Sequence, residues 1–369
     1  MRKQRVFVAG IARTPMGCPG KSLNRFISSD LAATVIKNIL ARTALDASAV
    51  GQVVFGQSLP STMPNNIGHY AWLKAELPVE IPGYTVQANA ASGLQAIRNA
   101  YYLVATGNED VVLAGGADSY SAAPFVMRDV RLHFYPQDRM VIDTLDEAEC
   151  CTQPKPMSRM EQFRLAHGDG ESVRAKEFAA LEKRKAAKFT GYTELVPISY
   201  VDRKKGEIVI DSDEWVAKEP EGVLAPNADG AAATLIVGEQ ALAKYRLTPM
   251  AEILGFAVSG CDPVEQEKAG IMAVKDLLKG KGLSTKDIAW FEIAENSAED
   301  VLECAKELGI ELDKVNPFGG AIAFGKCDGA EGILMLQRLV AGLNEGEYGV
   351  ILNYSPGGMG MATLVKKFS

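Results

Sequence analysis

Histidine is scarce in this chain, with only three residues in 369. His69, His133 and His167 are widely separated and none has a neighbour at ligand spacing, so a metal site has no support. Six cysteines are present, Cys18, Cys150, Cys151, Cys261, Cys304 and Cys327, and none forms a CxxC pair. The one close pair is vicinal, a geometry that rarely bridges. These absences weigh against a zinc ribbon or a disulfide framework and point to reduced thiols in a cytoplasmic protein. Long apolar runs are also missing. The longest are strand-sized, too short to span a membrane. The opening MRKQRVFVAG runs from charge straight into a strand, with no apolar stretch and small-residue cleavage site to suggest secretion. Positive charge is outnumbered, 39 Lys and Arg against 46 Asp and Glu, for a net charge of −7. A mildly acidic surface weighs against nucleic acid as a partner and leaves room only for a local basic patch.

What is present is an alternation of strand and helix. RVFVAGIA reads as a strand. Ser29-Asp30 then reads as the cap of a helix whose Leu31, Val35, Ile36, Ile39 and Leu40 share one face. QVVFGQSL, YTVQANA and DVVLAGGAD are further strands, and GLQAIRNAYYLVATG is a helix stopped at Gly107. Such alternation means α/β with a largely buried sheet. From about residue 120 the chain becomes charged, with one helix over roughly 171–189 followed by short strands, which reads as an insertion.

The last third repeats the first. VATGNEDVVLAGGAD and VAGLNEGEYGVILNYSPGG share a helix ending in Gly, a short acidic loop, a strand and a double glycine. The repeat reads as an internal duplication, and duplicated α/β halves usually pack face to face with function between them. Within the first copy, TVQANAASGLQAI turns from strand to helix through small residues, a place that commonly seats a nucleophile or an anion.

Five segments together resemble the thiolase superfamily: AGIARTPMG, YTVQANAASGLQAI, VVLAGGADSYSAAP, VNPFGGAIAFG and SPGGMGMA, in order along nearly the whole chain. The resemblance implies a five-layer α-β-α-β-α thiolase fold of two duplicated halves. It implies a loop domain inserted in the N-terminal half that holds coenzyme A, and a tight dimer. The expected division is residues 1–119 plus 221–249 for the first half, 120–220 for the loop domain and 250–369 for the second half. Members of the family cleave or form 3-ketoacyl-CoA by way of an acyl-cysteine. That chemistry needs a cysteine at a helix N-terminus, a second cysteine to move a proton, a histidine and an asparagine-held water for the enolate, and paired N–H groups for the oxyanion.

Carried over residue by residue, the resemblance puts other residue types at these positions. The nucleophile position is Ala90, followed by Ala91, Ser92 and Gly93. The asparagine position is Ala294, beside a matching Glu295. The histidine after GGAIAFG is Lys326 and the proline after it is Cys327. The second cysteine is Tyr354, and the glycine whose N–H completes the oxyanion hole is Pro356, which has none. The loop-domain histidine before a methionine is Pro156, and a serine expected near coenzyme A is absent before DGAAA.

Several of these residues have two readings. Lys326 beside Cys327 could form a reactive pair, or could be a replacement charge next to a buried inert thiol. Tyr354 could donate a hydrogen bond, or could fill vacated space. Glu295 reads as a scaffold anchor. Gly93, Gly319, Gly320, Gly358 and Gly360 read as tight turns and close strand approaches. The basic run RAKEFAALEKRKAAK could face the phosphates of coenzyme A or could be a solvated helix face. The leading expectation is a non-catalytic thiolase-like subunit that binds or positions acyl-CoA. It would act as a homodimer, or with an active paralogue or a small OB-fold zinc-ribbon protein. The alternatives are an enzyme of altered chemistry using Lys326, Cys327 or Tyr354, and a binding module for an acyl chain.

Overall fold

The structure is a computed structural model that describes residues 4–59, 64–128, 130–131, 140–189, 194–218 and 222–368. His133 and the expected boundary at 220/221 lie outside the described residues. The chain begins with β1 (Val6–Arg13), α1 (Ser28–Thr43), β2 (Gln52–Gly56), α2 (Ile67–Lys74), β3 (Gly83–Val86), α3 (Ser92–Ala105) and β4 (Val111–Asp118). Short elements follow: β5 (Phe125–Val126), β6 (Ile142–Asp143), α4 (Thr144–Cys150), α5 (Arg159–His167), α6 (Val173–Lys188), β7 (Ile198–Asp202) and β8 (Gly206–Ile210). Next come β9 (Gly230–Gly238), α7 (Glu239–Tyr245), β10 (Ala251–Gly260), α8 (Gln266–Lys281), β11 (Ile288–Ile293) and α9 (Ala298–Leu308). The chain closes with α10 (Ala321–Phe324), α11 (Asp328–Gly342), β12 (Tyr348–Ser355) and β13 (Met359–Lys367).

Nine strands share one hydrogen-bonded sheet in the order β11-β12-β13-β10-β1-β9-β4-β2-β3. The order is a repeat read outward from the middle. β1, β9, β4 and β2 match β10, β13, β12 and β11, with the same two antiparallel joints followed by one parallel joint. Even β3, parallel to β2, has a remnant counterpart in the parallel bridge of Val315 to Phe291. Duplicated halves usually pack face to face. Here they are also joined edge to edge, through the short pairing of Phe7 with Glu252 and Val8 with Ala251.

Side-chain alternation along the strands creates the layers. Phe7, Ala9 and Ala12 of β1, with Leu113 of β4 and Leu235 of β9, face Leu31, Val35, Ile36 and Ile39 of α1. Val6, Val8, Val112 and Ile236 face the other way, into a core that contains α3, α11 and the strands of the second half. Strands buried on both faces lose the apolar–polar alternation of a half-exposed sheet. Residues Gly329 to Val340 of α11 are all buried, as befits a helix enclosed on every side. The result is five layers: α1 and α2, one half-sheet, α3 with α11, the second half-sheet, and α8 with α9.

Local differences from expectation have identifiable causes. The cap of α1 is Ile27 rather than Ser29, because Asp30 accepts from the Ile27 N–H at 3.1 Å. α6 is only partly a solvated face. Ala175, Phe178, Ala179 and Ala186 are buried, and Lys183 donates to the carbonyl of Trp215 at 2.5 Å. Lys185 pairs with Glu182 and donates to the Val315 carbonyl, both at 2.8 Å. Two charges of the basic run therefore dock the helix onto the second half instead of facing solvent.

The close approach of α3 and α11 fixes the centre of the molecule. A Cβ on Gly93 would lie 2.6 Å from the Gly329 carbonyl oxygen, and one on Gly332 would lie 2.2 Å from the Leu94 nitrogen. Glycine to alanine inside an exposed helix ordinarily stabilises by about 1 kcal/mol. Here the added methyl meets backbone that cannot swing away, so overpacking decides the sign. Gly332→Ala is expected to lower stability by about 1–3 kcal/mol in urea denaturation, and an unchanged or raised midpoint would contradict this packing.

Candidate functional site

The strand-to-helix turn between β3 and α3 is tied down within itself. Ser92 Oγ accepts from the Ala88 N–H at 2.8 Å and donates to the Asn89 carbonyl at 2.6 Å. Asn89 adopts a left-handed φ of 49°, which its short polar side chain tolerates. Its amide donates across to the Pro356 carbonyl at 3.1 Å. Asn353 of β12 donates to the Ala90 carbonyl at 3.3 Å. The tip at Ala90 is thus clamped from the second half, where α3 begins and the helix dipole points its positive end. Ala90 itself is buried and offers a methyl group.

Asp118, at the end of β4, draws two segments to this place, the loop after β2 and the start of α11. Its carboxylate accepts from the Ser58, Leu59 and Gly329 N–H groups at 3.1, 3.0 and 2.7 Å. Full burial pushes its carboxyl up to about 8, against the pull of those donors. Gly329 opens α11, so Asp118 also sets the segment Lys326-Cys327-Asp328. Lys326 Nζ pairs with Asp328 Oδ1 at 2.9 Å, and the Tyr120 hydroxyl donates to Asp328 Oδ2 at 3.3 Å. Lys326 and Asp328 face the cleft. Cys327 points away, fully buried, with its thiol donating to the Gly230 carbonyl at 3.3 Å. Burial raises the Cys327 thiol well above its ordinary range, so it is no partner for Lys326 in a reactive pair.

Glu295 is a brace. Its oxygens accept from Asn316 and from the Ile322 N–H, each at 2.6 Å, and a Cβ on Gly320 would come within 2.3 Å of its carboxyl carbon. Ala294 is buried, with its N–H donating to the Leu352 carbonyl at 2.8 Å. Gly358 holds a φ of 76° with a Cβ position 2.3 Å from the Cys261 carbonyl, so the turn before β13 needs glycine.

Tyr354 fills its position with a phenol that has specific partners. The hydroxyl donates to Asp300 Oδ2 at 3.1 Å and accepts from the Asn296 N–H at 3.4 Å. Asp300 Oδ1 lies 2.6 Å from His167 Nε2. Burial lowers the affinity of His167 for its proton, but the hydrogen bond and charge of Asp300 outweigh it and raise the imidazole. Desolvation raises the Tyr354 phenol well above its usual range, so it stays protonated. Glu267 stands nearby, pushed up to about 7 by burial and then by the charge of Asp300.

A cleft opens beside these groups, between the two halves and the inserted segment. Asn89, Pro356, Lys326, Asp328 and Tyr120 line it from the two halves, with Arg159, Glu149 and Gln162 from the inserted segment. Asn296 and Gln266 complete the wall and also bound a smaller cavity beside His167, Asp300 and Glu267. An outer groove continues past Ser58 and Asn89 to Arg128, Glu147 and the exposed Cys151. Pro356 contributes no N–H to the cleft, and no cysteine lines it. Among the described residues no cluster of His, Cys, Asp or Glu could hold a metal ion.

Lys326 and Pro356 line the cleft; Ala90 and Tyr354 do not, Ala90 being buried next to Asn89 and Tyr354 being buried with its hydroxyl at the Asn296 N–H. Arg159, Asn296, Gln266, Asp328 and His167 were not anticipated. Asp328 stands in the first turn of α11, where its signal was that of an ordinary helix start. Arg159 and His167 come from an insertion whose sequence carries no pattern pointing inward.

A duplicated five-layer α/β architecture with a cleft at the converging N-termini of two enclosed helices defines the class. The chain belongs to the thiolase family: residues 6–240 match the thiolase N-terminal domain and residues 247–367 the thiolase C-terminal domain. A probable acetyl-CoA acyltransferase of Staphylococcus aureus is 32% identical over 400 aligned residues, covering 99% of each chain. The Bacillus anthracis acetyl-CoA acetyltransferase superposes over the full length of both chains with a TM-score of 0.91 at 26% identity. A thiolase from Ascaris suum in complex with coenzyme A gives 0.88 at 26% identity, covering 99% of this chain and 100% of that one. Human mitochondrial 3-ketoacyl-CoA thiolase gives 0.89 at 28% identity over all of both chains.

The raised carboxyls imply a pH dependence. Asp118 at about 8 and Glu267 and Glu292 at about 7 hold protons in the folded chain that the unfolded chain has already released. Their contribution is complete below the unfolded carboxylate range near pH 4 and is lost as pH rises through about 7 to 8. The urea midpoint is expected to be lower near pH 8.5 than near pH 6, with Asp118→Asn narrowing the difference. A midpoint that holds or rises would contradict the assignment. Tyr354→Phe leaves Asp300 without its phenol donor and is expected to cost about 1–2 kcal/mol by the same measurement, and a neutral substitution would contradict that hydrogen bond.

Proposed function

We propose that this chain is a thiolase-family subunit that binds an acyl-CoA thioester and does not run the acyl-cysteine cycle. It positions its ligand for a catalytic partner, or stabilises that partner. One observation carries the reading: Asn89 lines the cleft before α3, and the next residue, at the position where the family resemblance expects the nucleophile, is Ala90. Without a nucleophile there is no covalent route. An N–H missing at Pro356 removes an oxyanion donor of a kind worth on the order of 100–1,000-fold in rate. Tyr354 cannot take the place of a proton-shuttling thiol while its hydroxyl is committed to Asp300.

Coenzyme A is the ligand the reading calls for. A structural neighbour holds it, and the outer groove leading from the cleft along the inserted segment offers it a path. Residues 120–220 would form the loop domain that receives it, between halves made of 1–119 plus 221–249 and of 250–369. The partner would be a second copy, an active paralogue or a small OB-fold zinc-ribbon protein, in the cytoplasm. An altered chemistry has less support. Of Lys326, Cys327 and Tyr354, only Lys326 faces the cleft, and it is paired with Asp328.

The test is to restore the thiol. Ala90→Cys is expected to leave cleavage of acetoacetyl-CoA at least about 100-fold below that of a thiolase with both oxyanion donors. Isolation of the native complex is expected to yield a partner whose activity falls when this chain is removed. Efficient thiolysis by the unmodified chain alone would defeat the reading.

A further inference from the structure

Three buried polar atoms without a hydrogen-bond partner belong to residues that line both the cleft and the smaller cavity: Arg159 Nε, Asn296 Nδ2 and Gln266 Oε1; Glu267 Oε2, also unpaired, belongs to the smaller cavity alone, and Asp328 Oδ1 in the cleft is ion-paired with Lys326. Gln266 and Asn296 are only 7% and 5% exposed. They are not free to turn to solvent. Arg159 is held by its Nη groups, which donate to the carbonyls of Ala225, at 3.0 Å, and of Asn296. Asn296 is held at its own N–H by Tyr354 as well. Buried polar groups in folded proteins are almost always paired, so an unpaired set at a cavity wall marks where something polar docks.

Resting on the acyl-CoA reading above, we infer that the acyl group this cleft accepts carries a hydroxyl on its chain, held by Arg159, Asn296 and Gln266. The inventory of the wall selects that group. A hydroxyl oxygen accepts from two donors and gives one proton to an acceptor, which matches Arg159 Nε, Asn296 Nδ2 and Gln266 Oε1 one for one. A carboxylate would satisfy the two donors but confront Gln266 Oε1, with Glu149, Asp328 and Glu267 around the same two cavities. A plain alkyl chain would seal off all three atoms unpaired. Sites built to bond a substrate hydroxyl reject the analogue that lacks it far more strongly than apolar pockets distinguish chain lengths.

The test titrates the full-length protein calorimetrically with hexanoyl-CoA, its four monohydroxy isomers substituted at carbons 3 to 6, and 5-carboxypentanoyl-CoA. One hydroxy isomer is expected to bind at least tenfold tighter than hexanoyl-CoA and than the carboxylate. Gln266→Met and Asn296→Leu are each expected to abolish that advantage, bringing the favoured isomer to within about threefold of hexanoyl-CoA measured on the same variant. Hexanoyl-CoA binding as tightly as every isomer overturns the inference and leaves the acyl-CoA reading standing, as does an advantage that survives in both variants. No binding of any ester overturns both. The comparison of esters on the unmodified protein needs no variant to fold.

Discussion

The backbone contact between α3 and α11 is the constraint on which the rest of the molecule depends. The two helices lie between the half-sheets, and glycine at 93 and 332 lets them approach to a distance no side chain would permit. Because both helices start at the same end, their first turns converge. The Ala90 tip precedes one and the Lys326-Asp328 segment leads into the other. Asp118 reinforces the arrangement by binding the start of α11 and the loop after β2 with one carboxylate. The cleft is therefore a product of the core packing and does not depend on which side chains occupy it.

That separation lets the scaffold of the family hold its shape whatever side chains stand at the cleft. Glu295 continues to brace the α10 turn through Asn316 and Ile322, a duty of the framework. Arg338 of α11 is buried between Glu292 and Glu331, pairing with each at 2.9 Å and linking the helix to β11. Removing the arginine alone would leave the two buried acidic side chains without their shared donor. Beside the cleft, the buried Tyr354 has its own partners in Asp300 and Asn296. A phenol with two specific hydrogen bonds is integrated into the structure, and Asp300 extends the network to His167 in the inserted segment.

Much of this was legible in the sequence because it followed from periodicity and punctuation. The strands β1, β4 and β9 are apolar runs bounded by turn residues, and α3 stops where Gly107 follows it. The duplication was visible in the glycine pairs, Gly115-Gly116 within β4 and Gly357-Gly358 after β12. The nearness of Ala90, Lys326, Tyr354 and Pro356 was legible only through the family resemblance, since they lie far apart in the chain. What could not be read was direction. Lys326 and Cys327 are adjacent, yet one faces the cleft and the other the core, because the segment is extended and its neighbours alternate. Arg159, Asn296 and Gln266 gave no signal, because each stands at or just before a helix start where polar residues are ordinary. The lysines of α6 were misleading for a related reason: a charged helix face can dock when backbone carbonyls from a neighbouring element receive its amines.

The proposed role requires that the protein bind a thioester and not cleave it. Calorimetric titration of the purified protein with acetoacetyl-CoA in the presence of free coenzyme A reads both properties at once. Saturable heat from about one equivalent per chain, followed by a flat baseline, is the predicted result. A sustained heat of turnover after each injection, or no binding heat at all, would contradict it.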